Sequence, residues 1–290
     1  MTLHGFFQKQ VCIFGRVKKV LVFFIIFLLF ASFKKRELTW VAIGDSITYL
    51  NDHPEETGNR ISKGYMTMVK EKLAHIHFIN QGHNGWTSGG IADQIEKLGL
   101  VKADIYSIFL GTNDWWQGRP LGNLADYQNG NGNGTVYGSF RIIINKLRSL
   151  SPAAKVILIT PMQRTDFIYI NDPQNNAYGC YKEKNGQTLD QFADAVKNIA
   201  GYEGFDVLDL YHLKELKIER LVKFKRLKDP TTGEYSNYRY PDYTSIPFNP
   251  GKDEYPYPVE AIDITYDGLH PSNKGYKKIS DMLVKIMKKY

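Results

Sequence analysis

Residues 40–50 read WVAIGDSITYL, an apolar run that stops against Gly44, Asp45 and Ser46. A continuous apolar run bounded by turn residues suits a strand buried on both faces. Residues 38–43 are therefore predicted as a first strand that delivers Ser46 into the turn beyond it. A serine hydroxyl is a weak nucleophile near neutral pH unless a base stands beside it. The rest of the chain has to supply that base, an acid to orient it, and donors for an oxyanion.

Working outward, strand-like runs alternate with helical ones. HFIN, residues 104–110 (DIYSIFL), 155–160 (KVILIT) and 205–210 (FDVLDL) read as four further strands. Between them, stretches such as YMTMVKEKLAHI, SFRIIINKLRSL and TLDQFADAVKNIA repeat apolar residues at helical spacing, and a last helix closes the chain. Strands alternating with helices predict an α/β fold, a five-stranded parallel sheet covered on both faces. In such sheets functional groups gather beyond the carboxyl ends of the strands. Ser46, residues 82–90 and residues 111–114 then share one rim.

Charge says little about partners once it is located. The chain has 37 Lys and Arg against 30 Asp and Glu, a formal charge of +7. Seven of the basic residues and none of the acids lie in residues 1–36, so residues 37–290 carry 30 of each sign. The basic character belongs to the N-terminus and gives no case for nucleic-acid binding. There, Lys18 and Lys19 precede an apolar run over residues 20–33 that is short for a bilayer span and fits a secretory signal, with Ala31 near a cleavage site. Left uncleaved, the same segment is a membrane anchor. Residues 1–33 are read as signal peptide or anchor and 34–290 as one catalytic domain, exported to periplasm or exterior, with membrane contact only through an uncleaved N-terminus. After cleavage Cys180 is the remaining cysteine, which permits no intrachain disulfide.

Two stretches break the alternation. NGNGNG (129–134) lacks the Lys-Ser/Thr ending of a phosphate loop and is expected to be a flexible loop. Residues 229–258 are dense in Tyr, Pro and Gly and read as an ordered surface insertion within the same domain.

Four blocks carry chemistry. GDSIT (44–48) lifts Ser46 onto a strand-to-helix turn; NQGHNGWTSGG (80–90) offers backbone N–H groups at glycines; GTND (111–114) brings the Asn113 amide to the rim; DGLHP (267–271) sets Asp267 three residues before His270, ahead of the closing helix. A nucleophile, an acid–base pair and oxyanion donors are what acyl transfer requires. Asp45 is read as a structural hydrogen-bonding residue, and His75 and His77 as a helix end feeding a strand rather than metal ligands.

In these four blocks the chain resembles the SGNH/GDSL hydrolases, from about Thr39 to its end, although residues 215–258 match no motif of that family. The resemblance implies a three-layer α/β/α sandwich of flavodoxin-like type and a serine esterase free of metal or organic cofactor. It implies Ser46 as nucleophile, His270 as base, Asp267 as orienting acid, and an oxyanion hole of the Ser46 N–H, the Gly85 N–H (Gly82 the fallback) and Asn113. Trp115 and Trp116, directly after the third block, are candidates for an aromatic wall against a sugar or acyl group, and the tyrosines of the insertion (235, 238, 240, 243, 255 and 257) raise the same role beside that of ordering the loop. The expected partner is a small-molecule or glycan ester, with a carbohydrate O-deacetylase the favoured activity. A lipase, lysophospholipase or thioesterase, and a non-catalytic carbohydrate-binding protein on a hydrolase scaffold, are the rival readings.

Overall fold

The computed structural model describes residues 35–290. Its central sheet contains β1 (Leu38–Gly44), β2 (Ile76–Gly82), β3 (Ile105–Phe109) and β4 (Lys155–Ile159). After two short hairpin strands, β5 (Phe167–Ile168) and β6 (Asn176–Ala177), the last sheet strand is β7 (Asp206–Leu208). All neighbours are parallel, in the order β2-β1-β3-β4-β7. The five strands are those expected from the apolar runs. The segment read as signal or anchor, residues 1–33, lies outside the described residues, and among those described no helix is long and apolar enough to cross a membrane.

Side-chain alternation explains why the sheet is covered twice. Along β1, Trp40 and Ala42 enter one core, with Ile105 and Phe109 of β3 and Ile157 and Ile159 of β4. Val41 and Ile43 enter the other, with Tyr106, Ile108 and Leu158. Both sets are buried, so neither face can be left to water. The first face packs against α2 (Tyr65–Lys72) and the closing helix α8 (Asn273–Met287), whose Tyr276, Ile279, Leu283 and Met287 form one stripe. The second packs against α6 (Val136–Leu150) and α7 (Leu189–Glu203), through Phe140, Ile143, Ile144 and Leu147 and through Phe192, Val196 and Ile199. Three short helices sit at the rim or near it: α1 (Ser46–Tyr49), α3 (Ser88–Asp93) and α4 (Thr112–Trp116); α5 (Leu124–Asn129) precedes α6.

The NGNGNG stretch departs from the flexible loop expected of it. Asn133 donates to the Gly89 carbonyl at 2.8 Å and to Asp93 at 2.6 Å, while its own carbonyl oxygen accepts from Ser139 at 2.5 Å. One asparagine side chain with both its amide nitrogen and its oxygen engaged pins the loop across α3 and α6. The segment read as an insertion packs, with its neighbours, around a small core of its own. β8 (Lys225–Lys228) and β9 (Tyr235–Tyr238) form a hairpin, and Val222, Leu227, Tyr243 and Tyr257 close over Ile168 of β5.

The turn after β1 is built by close approach. Asp45 caps α1 by accepting from the Ile47 N–H at 3.0 Å. Gly82, ending β2, lies against the backbone of α1: a Cβ there would stand 2.6 Å from Tyr49 Cα and 2.7 Å from the Thr48 carbonyl carbon. Asp45 is fully buried, and burial raises its carboxyl from an ordinary 3.8 to about 6.

Two outcomes follow. Gly82→Ala has to displace α1 backbone and should cost about 2 kcal/mol in denaturant unfolding. Asp45→Asn keeps an oxygen for the cap but never needs to ionise. Because the folded wild type retains a proton that the unfolded chain releases, wild-type stability should fall relative to Asp45→Asn as pH rises from 4 to 6. The gap should then level off at roughly 2 to 3 kcal/mol; a gap that does not change with pH would show an ordinary Asp45.

Candidate active site

Ser46 is the first residue of α1, immediately beyond the carboxyl end of β1. His270 and Asp267 lie in the turn that precedes α8. Asp267 is wholly buried, and one of its oxygens accepts from the backbone N–H groups of Leu269, at 3.0 Å, and His270, at 2.7 Å. The other oxygen meets His270 Nδ1 at 2.7 Å. A carboxylate that already accepts two backbone bonds accepts the third as well, so Nδ1 carries the proton and donates. Nε2 is left with a lone pair, and it lies 2.8 Å from Ser46 Oγ. The three residues thus form one hydrogen-bonded line from acid to hydroxyl.

The imidazole is held from its faces too. Tyr266 stacks on it, ring centres 5.9 Å apart, and Phe167 meets it edge-on at 5.3 Å. The turn itself is tied to the β5 segment, where Thr165 and Ile168 donate to the carbonyls of Gly268 and Asp267 at 3.0 and 3.1 Å. Tyr276 of α8 donates to the Ile47 carbonyl of α1 at 2.9 Å, linking the helix behind His270 to the helix that bears Ser46.

Ser46 and His270 open onto a cavity of about 360 Å³, also lined by Gly85, Asn113, Trp116 and Arg164. Gly85 has φ +73°, a left-handed conformation that favours glycine, with open space where a side chain would stand. Asn113 donates one amide N–H to the Trp86 carbonyl at 3.0 Å; a side-chain amide has two such donors, so one is uncommitted by that bond. Gly82, the fallback for Gly85, is instead packed under α1 and does not line the cavity.

The two tryptophans separate. Trp115 is fully buried, its indole N–H donating to the Gln187 carbonyl at 3.0 Å, and it does not reach the cavity. Its expected place in an aromatic wall is corrected: on α4, consecutive residues point in different directions, and Trp115 takes the core side. Trp116 does line the cavity. Of the insertion's tyrosines, Tyr243 and Tyr257 are buried core residues, at 1% and 0% exposure. Asp45 acts as the structural hydrogen-bonding residue expected. His77 Nε2 pairs with Glu37 at 2.7 Å.

Arg164 was not anticipated, although it follows β4 and so stands on the rim where functional groups collect. Nothing in the local sequence, TPMQRTD, distinguishes it; only the strand-end rule could have raised it. Among the described residues, two groups, His53 with Glu55 and Glu56, and Asp190 with Asp194 and His212, have donor atoms within 4.8 Å of one another. The second is already an ion-pair cluster, His212 bridging Asp209 and Asp190. Neither group includes a residue of the Ser46–His270–Asp267 line.

Residues 42–278 match the GDSL-like Lipase/Acylhydrolase family. The fold is similar to that of a possible lipase from Chitinophaga pinensis, which is 63% identical with a TM-score of 0.86, covering 87% of this chain and 98% of that one. A protein from Lactobacillus plantarum (17% identity, TM-score 0.58, 89% and 99% covered) and the acetyl xylan esterase AlAXEase (17%, 0.52, 86% and 99%) share the fold at much lower identity. No curated protein sequence matches the chain. The blocks around Ser46, Gly85, Asn113 and His270, the doubly covered parallel sheet and this match over most of the length agree: the chain belongs to the GDSL-like lipase/acylhydrolase family and is a carboxylic ester hydrolase of the serine type.

Proposed function

We propose that the protein is an exported carbohydrate O-deacetylase that works through an acyl-enzyme on Ser46. The observation that carries this reading is the character of the Ser46 cavity, which is small and sets the polar side chains of Asn84, Asn113, Gln117, Arg164 and Asn175 among apolar and aromatic ones such as Leu50, Trp116, Phe167 and Leu269. Amide and guanidinium groups around an indole face suit a polyhydroxylated alcohol and a short acyl group. A long alkyl chain would strip those groups of water and return nothing to them. The apolar run at residues 20–33 behind Lys18 and Lys19 supports export.

The chemistry then has named parts. Ser46 Oγ attacks the ester carbonyl carbon as His270 Nε2 takes the hydroxyl proton. The carbonyl oxygen becomes an oxyanion held by the backbone N–H groups of Ser46 and Gly85 and by the second N–H of Asn113. His270 passes the proton to the departing sugar oxygen, leaving acetyl on Ser46. Water, deprotonated by His270 in its turn, releases acetate and restores the serine. Asp267 keeps Nδ1 protonated throughout and stabilises the imidazolium, without taking the proton itself.

The 63% identical neighbour is described as a possible lipase, and that keeps a lipase or lysophospholipase as the second reading. An ester series decides between them. Full-length protein should turn over p-nitrophenyl acetate faster than butyrate and butyrate faster than octanoate, and Ser46→Ala should lose at least about 10³-fold in kcat. A rise toward octanoate would install the lipase reading. Absence of turnover on every ester, with glycan binding intact in Ser46→Ala, would favour a binding protein. Asn113→Ala should lower kcat about 10²- to 10³-fold on the acetate ester with little change in KM, because its second N–H acts on the transition state alone. An equal rise in KM with kcat unchanged would place Asn113 in ground-state binding instead.

A further inference from the structure

The Gly85 N–H of the oxyanion hole comes from an exposed turn. The Trp86 N–H donates to the His83 carbonyl at 3.2 Å, across Asn84 and Gly85. Gly85 has φ +73° and Asn84 before it is not among the residues of positive φ, so residues 83–86 form a turn of type II. The peptide that carries the Gly85 N–H is the central one of that turn. Turning it over converts type II into type I and sends the N–H to the opposite side. Glycine adopts either sign of φ, so the residue itself does not choose between the two forms. Packing does not choose either: Asn84 and Gly85 are both exposed, and a Cβ on Gly85 would meet nothing within 4 Å.

What grips the turn is α4. Gln117 Nε2 donates to the Gly85 carbonyl at 3.0 Å, and Asn113 Nδ2 to the Trp86 carbonyl at 3.0 Å. The two residues stand four apart, so from one helix face they reach two consecutive peptides. Asp114 accepts from the N–H of Ser88 at 2.9 Å and from its hydroxyl at 2.7 Å, just beyond the turn. At the other end, the His83 N–H donates to the Gly44 carbonyl at 3.0 Å, and the His83 ring stacks on Trp86 with centres 4.5 Å apart. These bonds fix the neighbours of Gly85. Among the described residues, Gln117 is the side chain that bonds Gly85 itself. The Gly85 N–H meets no acceptor among them, which leaves it for a ligand.

We infer that Gln117 is a positioning residue of the oxyanion hole: by holding the Gly85 carbonyl it keeps the glycine left-handed and its N–H aimed where the second N–H of Asn113 also points. With that carbonyl fixed, the central peptide can turn over only by itself, between two held ends. Released, the glycine turns as a whole, and the hole is short of a donor for part of the time. A single hydrogen bond of this kind shifts an equilibrium by a factor of about two to twelve. Its loss should therefore cost less than removal of Asn113, which takes a donor away outright. The inference rests on the oxyanion hole proposed above and not on the identity of the sugar or acyl group.

The test sets full-length Gln117→Met, Gln117→Lys and Gln117→Glu beside wild type and Asn113→Ala. One readout is kcat and KM on p-nitrophenyl acetate; the other is calorimetric binding of phenylboronic acid. Ser46 Oγ adds to boron while its proton passes to His270, and the anionic tetrahedral adduct sets a boron-bound oxygen in the hole. Gln117→Met, of similar length but without a donor, should lose about three- to tenfold in kcat with KM little changed, and should bind the boronic acid more weakly by the same factor. Gln117→Glu, whose carboxylate faces a carbonyl, should lose at least as much. Gln117→Lys returns an N–H and should keep most of the wild-type rate. A residue that only braced the fold would shift the unfolding midpoint without producing this order. Wild-type kcat and boronic acid affinity in Gln117→Met and Gln117→Glu would overturn the inference. So would equal losses in Gln117→Met and Gln117→Lys, or a raised KM with kcat intact, which would place Gln117 against the substrate. If Asn113→Ala also leaves both readouts unchanged, the hole assignment fails and takes the inference with it. If Asn113→Ala loses about 10²- to 10³-fold while the Gln117 variants match wild type, the inference falls alone. Should wild type turn over acetate poorly, the deacetylase reading fails, and the order of boronic acid affinities still decides the role of Gln117.

Discussion

The 2.8 Å contact between Ser46 Oγ and His270 Nε2 joins residues 224 apart in the chain, and the rest of the molecule can be understood as what holds those two atoms in place. Ser46 is fixed from below by β1 and from the side by Gly82, whose missing Cβ lets β2 run against the backbone of α1. His270 is fixed by a carboxylate that also organises its own turn, since Asp267 caps the backbone at 269 and 270 with one oxygen and the imidazole with the other. Tyr276 closes the frame by tying α8 to α1. A displacement of one helix by about 1 Å would stretch the bond out of its useful range, and so the site sits where two buried elements meet rather than on loops alone.

That arrangement places several acids beneath the reactive rim. Asp114, fully buried, accepts from the N–H and hydroxyl of Ser88 at 2.7 to 3.1 Å and faces Arg119, and burial raises its carboxyl as it does that of Asp45. Each is satisfied locally, Asp45 by the α1 cap and Asp114 by the start of α3. Their hydrogen bonds fix the first turns of the short helices that carry or flank Ser46, Gly85 and Asn113. Helices of four to six residues are not stable alone. Here the buried caps and the close approach of the strands do what length cannot.

How much of this was legible varied with the kind of information required. The sheet could be read because Trp40, Val41, Ala42 and Ile43 are all apolar, and a strand with no polar face must be covered twice. The Ser46 and Asn113 blocks could be read because the strand-end rule puts them on one rim, and Asp267 with His270 because they stand three apart just ahead of the closing helix. Trp115 and Trp116 could not be told apart, since the short α4 gives no periodicity from which to decide which indole faces inward. Tyr243 and Tyr257 looked like surface residues in a Tyr- and Pro-rich stretch, but their burial depends on contact with Ile168, far away in sequence. The NGNGNG loop is held by the reach of Asn133 to Gly89 and Asp93, and composition does not encode that reach. Arg164 stood at a strand end and was missed because an isolated arginine has no spacing to mark it.

The structure divides these failures from the successes along a physical line. Catalytic groups issue from the ends of sheet strands or the turn before α8, whereas a second cavity, of about 590 Å³, is walled by β5–β6 and the insertion, which pack through a separate core. Asp166 ties the parts of that outer region together. Asp166 receives Lys225 of β8, Tyr181 beyond β6 and the Gly179 N–H on its carboxylate, while its carbonyl accepts from Tyr257 at 2.5 Å. Lys225 is 2% exposed, so this is a buried ion pair, and the desolvation of both charges offsets most of their attraction. Its net gift to stability is therefore small. What it does supply is direction, because an ammonium and a carboxylate desolvated together tolerate few alternative placements of the hairpin and the insertion. The same segment reaches the catalytic line, since Thr165 and Ile168 on either side of Asp166 donate to the carbonyls of Gly268 and Asp267, so the order that the buried pair imposes on the hairpin and insertion is passed on to the turn that carries His270.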